Sequence, residues 1–565
     1  MSRELKYLSK KVVAGTLNRR DFLGRASALG VSAAFAGTLL SDAAHAQTPN
    51  RGGTLKVGIQ GGASTDSLDP ALAANATATQ VIRLWGEPLV ELAFDGGLQN
   101  RVAEEFSASD DARIWTFKIR SGIEFSNGKT VTAEDVLETF DRHAGEDTKS
   151  GALGILRGIK DMKAEGDKFV VELETPNADL PYLMADYHLI VQPGGGKDDP
   201  AAAIGTGPYT METSEMGVRF VGKKNPNHWD PDMGYADSVE LIVSNDDTAR
   251  VAALQSGQVH MINRVPPKVA GLVSRGPGVE VRSTSGPGHY VFIMHCNTAP
   301  FDNNDLRLAL KYAMNREEMV EKILFGYGSV GNDSPINASY PLFSNDIEQR
   351  MYDPEKAAFH FKKSGHEGPV LLRTSDNSFP SAPDAAALFQ ETASKAGIEL
   401  EIKREPNDGY WSEVWNKQPF CTSYWGGRPT QDQMFSTAYL SSADWNDTRF
   451  FNDDFDKMLM AARAELDNAK RKEIYRDMSV LLRDEGGLIC PMFNDFIDAT
   501  SDKVAGWQEI SGGFDLMNFY APMKMWLAAG YGYGYKTGGP ASRAGPPASV
   551  RSFNSDICRH PDPSR

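Results

Sequence analysis

The alternation of apolar and polar positions in Thr54-Leu55-Lys56-Val57-Gly58-Ile59 predicts a first strand, ended by Gly61-Gly62 and a turn from Asp66 to Pro70. A helix is expected from Ala76 to Leu92. Trp115 to Arg120 alternates again and leads to an Asn127-Gly128-Lys129 turn. Thr132 then caps a helix whose Glu134 and Asp135 suit the positive end of the helix dipole. Strands are predicted at Phe169 to Leu173 and Glu240 to Val243, and Gly205-Thr206-Gly207-Pro208-Tyr209 turns into another. Asp247 to Ser256 reads as a helix, and Leu306 to Phe325 as a long one with apolar residues at helical spacing. Strands at Val370 to Arg373 and Ile398 to Ile402 flank a helix from Pro383 to Ala396. Asp453 to Leu482 forms two charged helices joined at Leu466-Asp467-Asn468. Strands and helices mix without a fixed repeat, which places the chain in the α/β or mixed α+β class.

The two ends follow other rules. Residues 530–565 are rich in Gly, Tyr, Pro, Ser and Arg and have no apolar period, so a disordered tail is expected. At the other end, Asn18-Arg19-Arg20-Asp21-Phe22-Leu23-Gly24 opens an apolar stretch, Ala26 to Leu40, that closes at Ala44-His45-Ala46. A charged region, a short apolar run and an A-x-A site in that order make an export signal. The paired arginines before Phe22-Leu23 resemble a twin-arginine signal. Residues 1–46 are therefore expected to be removed near Ala46/Gln47, leaving a protein in the periplasm. The apolar run is shorter than the ~20 residues that span a bilayer. With no cysteine just past the cleavage site, no lipid anchor is expected.

Bulk composition narrows the function. The 565 residues are 41% hydrophobic and 24% charged, ordinary for a globular protein, and the length suggests two or three lobes of ~100–250 residues. A formal charge of −16 argues against nucleic acid as a partner, since a phosphate-binding surface needs clustered Lys and Arg. It does not set the sign of the charge inside a pocket. Cys296, Cys421, Cys490 and Cys558 are scattered without zinc spacing. No cofactor is implied. No GxSxG, HExxH, phosphate-binding loop or strand-following GxGxxG is present, so enzyme chemistry has no support in the motifs.

A family signature is carried by Val102-Ala103-Glu104-Glu105-Phe106, then Trp115-Thr116-Phe117-Lys118-Ile119-Arg120-Ser121-Gly122, then Phe125-Ser126-Asn127-Gly128-Lys129 and Thr132-Ala133-Glu134-Asp135-Val136. Gly205 to Tyr209, Phe301-Asp302-Asn303-Asn304-Asp305-Leu306-Arg307, Tyr352-Asp353-Pro354-Glu355-Lys356-Ala357 and Phe455-Asp456-Lys457 follow in order. Together these resemble the peptide/opine/nickel family (family 5) of ABC-importer solute-binding proteins, over about residues 52–526. The resemblance implies a two-lobed periplasmic-binding-protein fold, its large first lobe carrying an extra subdomain. It implies lobe one at 52–288 plus 491–528, lobe two at 289–490, and crossing strands at His289 to Met294 and Leu488 to Phe493. It further implies a small-molecule ligand enclosed by hinge closure, permease subunits in the inner membrane as partners, and a monomer.

The stretch Tyr410-Trp411-Ser412-Glu413-Val414-Trp415, followed by Tyr424-Trp425-Gly426-Gly427-Arg428-Pro429-Thr430-Gln431-Asp432, supplies flat apolar surface and fixed polar groups, as a pocket needs. In the family a Trp-Gly loop lines the pocket, and dipeptide binders place an aspartate three residues after that Trp for the peptide ammonium. This chain has Arg428 there, which prefers a carboxylate or phosphate. Where dipeptide binders hold the ligand carboxylate with an arginine, a looser alignment gives Asp376-Asn377. The inverted pattern favours a small solute with an anionic group over a free peptide. Two alternatives stay open: Arg428 pairs internally with Asp432 or another acid, and Trp411 is core rather than wall. The candidate ligand residues are Trp411, Tyr424, Trp425, Gly426, Arg428, Asp432, Asp376 and Asn377. A metal or metallophore carrier, since the family includes nickel carriers, and a chemosensory role on the same fold are the rival readings. Among the histidines, His289 and His295 lie at strand positions that do not converge.

Overall fold

The computed structural model describes residues 49–73, 75–145, 147–375, 378–406, 410–443, 445–510 and 514–528, with residues 411 and 412 described by their backbone alone. The expected signal and tail, and the Asp376-Asn377 pair, lie outside the described residues.

Thr54–Ile59 forms as expected, with Leu55, Val57 and Ile59 fully buried. It pairs in parallel with Ser238–Val243 on one edge and Met261–Ile262 on the other. These strands belong to an 11-stranded sheet that runs through the whole body. Its spine is a pair of long antiparallel strands, Val279–Met294 and Leu488–Ser501. Both crossing segments expected from the sequence lie within them, and the strands run further. Their register breaks between Ser285 and His289, at Gly286-Pro287-Gly288, where proline can give no ladder hydrogen bond.

That break separates two cores. Before it, Ile497 and Ala499 pack with Val259, Ile262 and Val273. Beyond it, Phe292, Met294, Ile489 and Met492 belong to a core closed by the helices Asn304–Tyr312 and Ala382–Ser394. We call the two sides the first and second halves. The first half also carries a separate antiparallel sheet of Ala103–Ala108, Ile114–Ile119, Lys168–Leu173 and Ile159–Glu165. The helix Ala133–Ala144 packs on it through Phe140, 4.8 Å from Phe169. Thr132 starts that helix in a capping box: the Asp135 N–H donates to Thr132 Oγ1 at 3.2 Å and the Thr132 N–H donates to Asp135 Oδ2 at 3.0 Å.

Two helices depart from expectation. The one expected to reach Leu92 spans Ala76–Trp85, after which Val90–Leu92 is a strand. Gly86 turns extended there against Ile190, where a Cβ would fall 2.2 Å from the isoleucine Cγ2, and Pro88 keeps the chain extended. The helix expected over Leu306 to Phe325 divides into Asn304–Tyr312 and Arg316–Lys322. Asn315 caps the second piece by accepting from Glu318 N–H at 3.2 Å. Arg316 donates to the carbonyls of Lys311 and Met314 at 3.1 and 3.2 Å, satisfying groups that the break releases. An apolar period continues across such a break, so periodicity cannot see it.

Candidate functional site

A cleft of about 760 Å³ lies between the halves. Its second-half wall is built where the strand Phe420–Trp425 ends. Gly427 turns the chain with φ +75°, and a Cβ there would fall 2.4 Å from Pro287 Cβ, so only glycine fits against the hinge proline. Thr430 accepts from Gln433 N–H at 3.2 Å and starts the helix Gln431–Ala438. Between the turn and the helix, Arg428 is presented to the cleft.

Asp432, in the first turn of that helix, does not take Arg428. It is held bidentately by Arg463, whose Nε and Nη2 donate to Oδ2 and Oδ1 at 2.6 and 3.0 Å, and Ser436 Oγ donates to Oδ1 at 2.9 Å. Arg428 donates from Nη1 to the neighbouring Gly427 carbonyl and lies 5.9 Å from the Trp425 ring centroid. Its N–H donates to Tyr340 Oη at 3.1 Å. Among the described residues no carboxylate lies within ion-pair distance of it. Burial draws its guanidinium below the ordinary value, opposed by Tyr340 and Tyr187, and an arginine so displaced is still charged. The alternative that Arg428 pairs with Asp432 is thereby excluded.

Of the other residues singled out from the sequence, Gly426 lines the cleft with Arg428 and Asp432. Trp425 is 5% exposed and belongs to the second-half core, 6.4 Å from Trp415 and 6.1 Å from Trp445. Tyr424 points to the other face of the strand, 50% exposed and opposite Tyr290. Trp411 sits in the π-turn Tyr410–Val414, and its side chain is outside the described residues. His289 and His295 are buried and both pushed down to about 4 by burial; His289 Nδ1 is turned to the Pro287 carbonyl at 2.9 Å.

The first-half wall was not anticipated. Asp179 reaches across to Arg471 Nη2 and to Tyr475 Oη, the latter at 3.4 Å, and Ala178 N–H donates to the Arg463 carbonyl at 2.8 Å. His188 is held by Asp186 Oδ1 on one ring nitrogen and the Ala73 carbonyl on the other. A backbone turn completes the wall: Leu516, Met517, Asn518 and Phe519 all have left-handed φ, from 53° to 67°. Such residues cost about 1–2 kcal/mol each, so the surroundings must hold them. Asp498 Oδ2 accepts from Leu516 N–H at 2.7 Å, Asn518 Oδ1 from Phe514 N–H at 2.7 Å, and Gln80 Nε2 donates to the Phe519 carbonyl at 2.6 Å. Arg83, in the apolar run Val81-Ile82-Arg83-Leu84-Trp85, also reaches this wall. A lone cation inside such a run was the sequence signal for it.

A cleft between two cores joined by long crossing strands is the architecture of a ligand-enclosing binding protein. The chain matches the family described as bacterial extracellular solute-binding proteins, family 5, over residues 97–447, and it belongs to that family. Glutathione-binding protein GsiB of Escherichia coli O6:K15:H31 is 24% identical over 475 residues, covering 79% of this chain and 90% of the relative. GsiB of Salmonella typhi is 24% identical over 468 residues with the same coverage. Among solved structures, HbpA2 from Haemophilus parasuis superposes with TM-score 0.74 at 17% identity, covering 84% of this chain and all of HbpA2. AgaA of A. tumefaciens R10 in complex with agropinic acid superposes with TM-score 0.68 at 23% identity, over 85% of this chain and all of AgaA. The fold is that of a two-lobed periplasmic binding protein of the mixed α/β class, and the two halves are its lobes.

Proposed function

We propose that this chain is exported to the periplasm through its twin-arginine signal and captures a small anionic solute between its lobes. It then hands the solute to the permease subunits of an ABC importer, acting as a binder rather than an enzyme. Arg428 is the observation that carries the reading. It is a half-buried guanidinium on the cleft wall whose nearest candidate acid is taken by Arg463. A carboxylate would supply two acceptors in the fork geometry that guanidinium favours. Gly426 and Asp432 act as wall and as anchor of Arg463. Trp425 lies against Arg428, 5.9 Å from its guanidinium, and Tyr424, Trp411, Asp376 and Asn377 stay in the proposed ligand set on the family resemblance alone.

Two of the similar proteins support this reading by the ligands they are named for or solved with. Glutathione and agropinic acid are both carboxylate-bearing metabolites. Opine-like and glutathione-like solutes are therefore the first ligands to try. Native mass spectrometry of ligand released from the purified protein tests the reading: an anionic metabolite supports it, and a cationic or metal-only ligand overturns it.

A further inference from the structure

Among the described residues of the first-lobe wall, Arg83 is a buried cation with no acid beside it. It projects from the helix Ala76–Trp85 and is 8% exposed. Its Nη2 donates to the Ala185 carbonyl at 2.9 Å, and its guanidinium lies 5.3 Å from the Tyr520 ring centroid. Its Nε and Nη1 are buried with no hydrogen-bond partner. No carboxylate of the described residues lies within ion-pair distance. Buried donors are almost always satisfied, and a buried guanidinium with two idle donors is costly.

The acids of the cleft are all committed elsewhere: Asp179 to Arg471, Asp186 to His188, Asp432 to Arg463. Arg83 on the first lobe and Arg428 on the second therefore face one cleft as cations without counter-charges. Tyr187 stands near both. Burial raises its phenol to about 12, the charge of Asp186 adds to the rise, and Arg83 and Arg428 each oppose it. The volume of about 760 Å³ admits a metabolite of moderate size.

We infer that the ligand carries two separated anionic groups, one held by Arg83 and the other by Arg428, so that the solute itself bridges the lobes. The inference rests on the reading of the cleft as an anion site and adds to it the charge count of the ligand and a second specificity residue. It gives closure a physical cause. A dianion held by Arg83 on one lobe and Arg428 on the other makes both contacts only when the lobes are closed. A monoanion satisfies only one wall and leaves the Arg83 donors idle.

The test uses reduced glutathione and opine-type N-carboxyalkyl amino acids, each beside its two half-esters, titrated calorimetrically into the full-length protein. At least one diacid is expected to bind ten-fold or more tightly than either of its half-esters. Arg83→Gln should weaken that diacid ten-fold or more and change the affinity for the half-ester lacking the Arg83-facing group by less than two-fold. Arg83→Lys, which keeps the charge but loses the fork, should fall between. The melting temperature of each empty variant identifies any folding defect, and the lysine variant then carries the comparison. Diacid and half-esters binding alike, or Arg83→Gln weakening neither or all equally, overturns the dianion and leaves Arg428 as a single-anion site. If no panel member binds, the released native ligand decides: two acidic groups uphold the inference and one overturns it. A protein that binds none of the panel and releases no anion overturns the reading of the site together with the inference.

Discussion

Asp432 and Arg463 form a two-pronged ion pair at 2.6 and 3.0 Å, and that pair leaves Arg428, four residues before Asp432, without an acid. A hydrogen bond to a charged group contributes about 1.5–3 kcal/mol, roughly 10- to 100-fold in affinity. Arg428→Ala should weaken an anionic ligand by that much. The melting temperature of the empty protein should hold nearly constant, because the side chain anchors no other element. Calorimetry and a thermal melt of the same variant check both halves of the expectation; an unchanged affinity removes Arg428 from the site.

Asp179 bridges the lobes through Arg471 and Tyr475. Removing one partner of a buried pair leaves the other charge uncompensated, at about 3–5 kcal/mol. Asp179→Asn should open the lobes, seen as a larger radius of gyration in X-ray scattering, and weaken ligand binding without altering which ligand is preferred. A scattering profile identical to the parent would show that this contact does not hold the lobes together.

Asp447 is fully buried beside the tryptophan cluster, with Trp415 Nε1 donating to Oδ2 at 2.9 Å. Burial raises its pKa to about 7, against the opposing hydrogen bond from Trp415. In the unfolded chain the value is about 3.9. Between those two values the folded form binds the extra proton, so stability is fully present below pH ~4 and falls as pH rises toward 7, by on the order of 4 kcal/mol. Asp447→Asn keeps an acceptor for Trp415 and removes the titration. Melting temperatures from pH 4 to 8 should flatten in this variant, and parallel curves for variant and parent would refute the assignment.

Asp498 and Asp515 are both buried at the root of the left-handed turn. Burial raises both, Asp498 further through the charge of Asp515, while Arg264 opposes the rise at Asp515 with a 2.9 Å ion pair. Raised acids again favour low pH: the stabilising proton is present below the unfolded value and lost above it. Asp498→Asn can still accept from Leu516 N–H through its amide oxygen. It should raise the melting temperature at pH 7.5 and change little near pH 4.

Gly427→Ala meets both a left-handed φ and Pro287. It should lower ligand affinity by moving Arg428 while leaving the distant helices intact, and hydrogen exchange confined to the 426–430 loop and the hinge would show this. Exchange spreading through the second lobe would instead mean a general folding defect.

Much of the fold was legible along the chain because it is written in local physics. Alternation placed Thr54–Ile59 and Ile114–Ile119, and the Thr132/Asp135 capping pair marked its helix. Gly86 and Asn315 were missed as helix ends because their causes are remote: the approach of Ile190, and carbonyls taken up by Arg316. The family and the Arg428 position were also readable, since an ordered set of motifs survives where overall identity is low.

The sequence by itself determined the class of elements, the export signature as an expectation, and that a cation replaces an acid in the Trp-Gly loop. Only the tertiary structure decided which acid that cation would meet. Asp432 is four residues from Arg428 and Arg463 is thirty-one residues beyond Asp432, yet the second pairing forms. Helix direction and burial set that choice, and no spacing rule encodes them. The same holds for Arg83, brought to the cleft wall by a fold that pairs strands hundreds of residues apart: electrostatics at a site depends on distances in space, and those exist only once the lobes have packed.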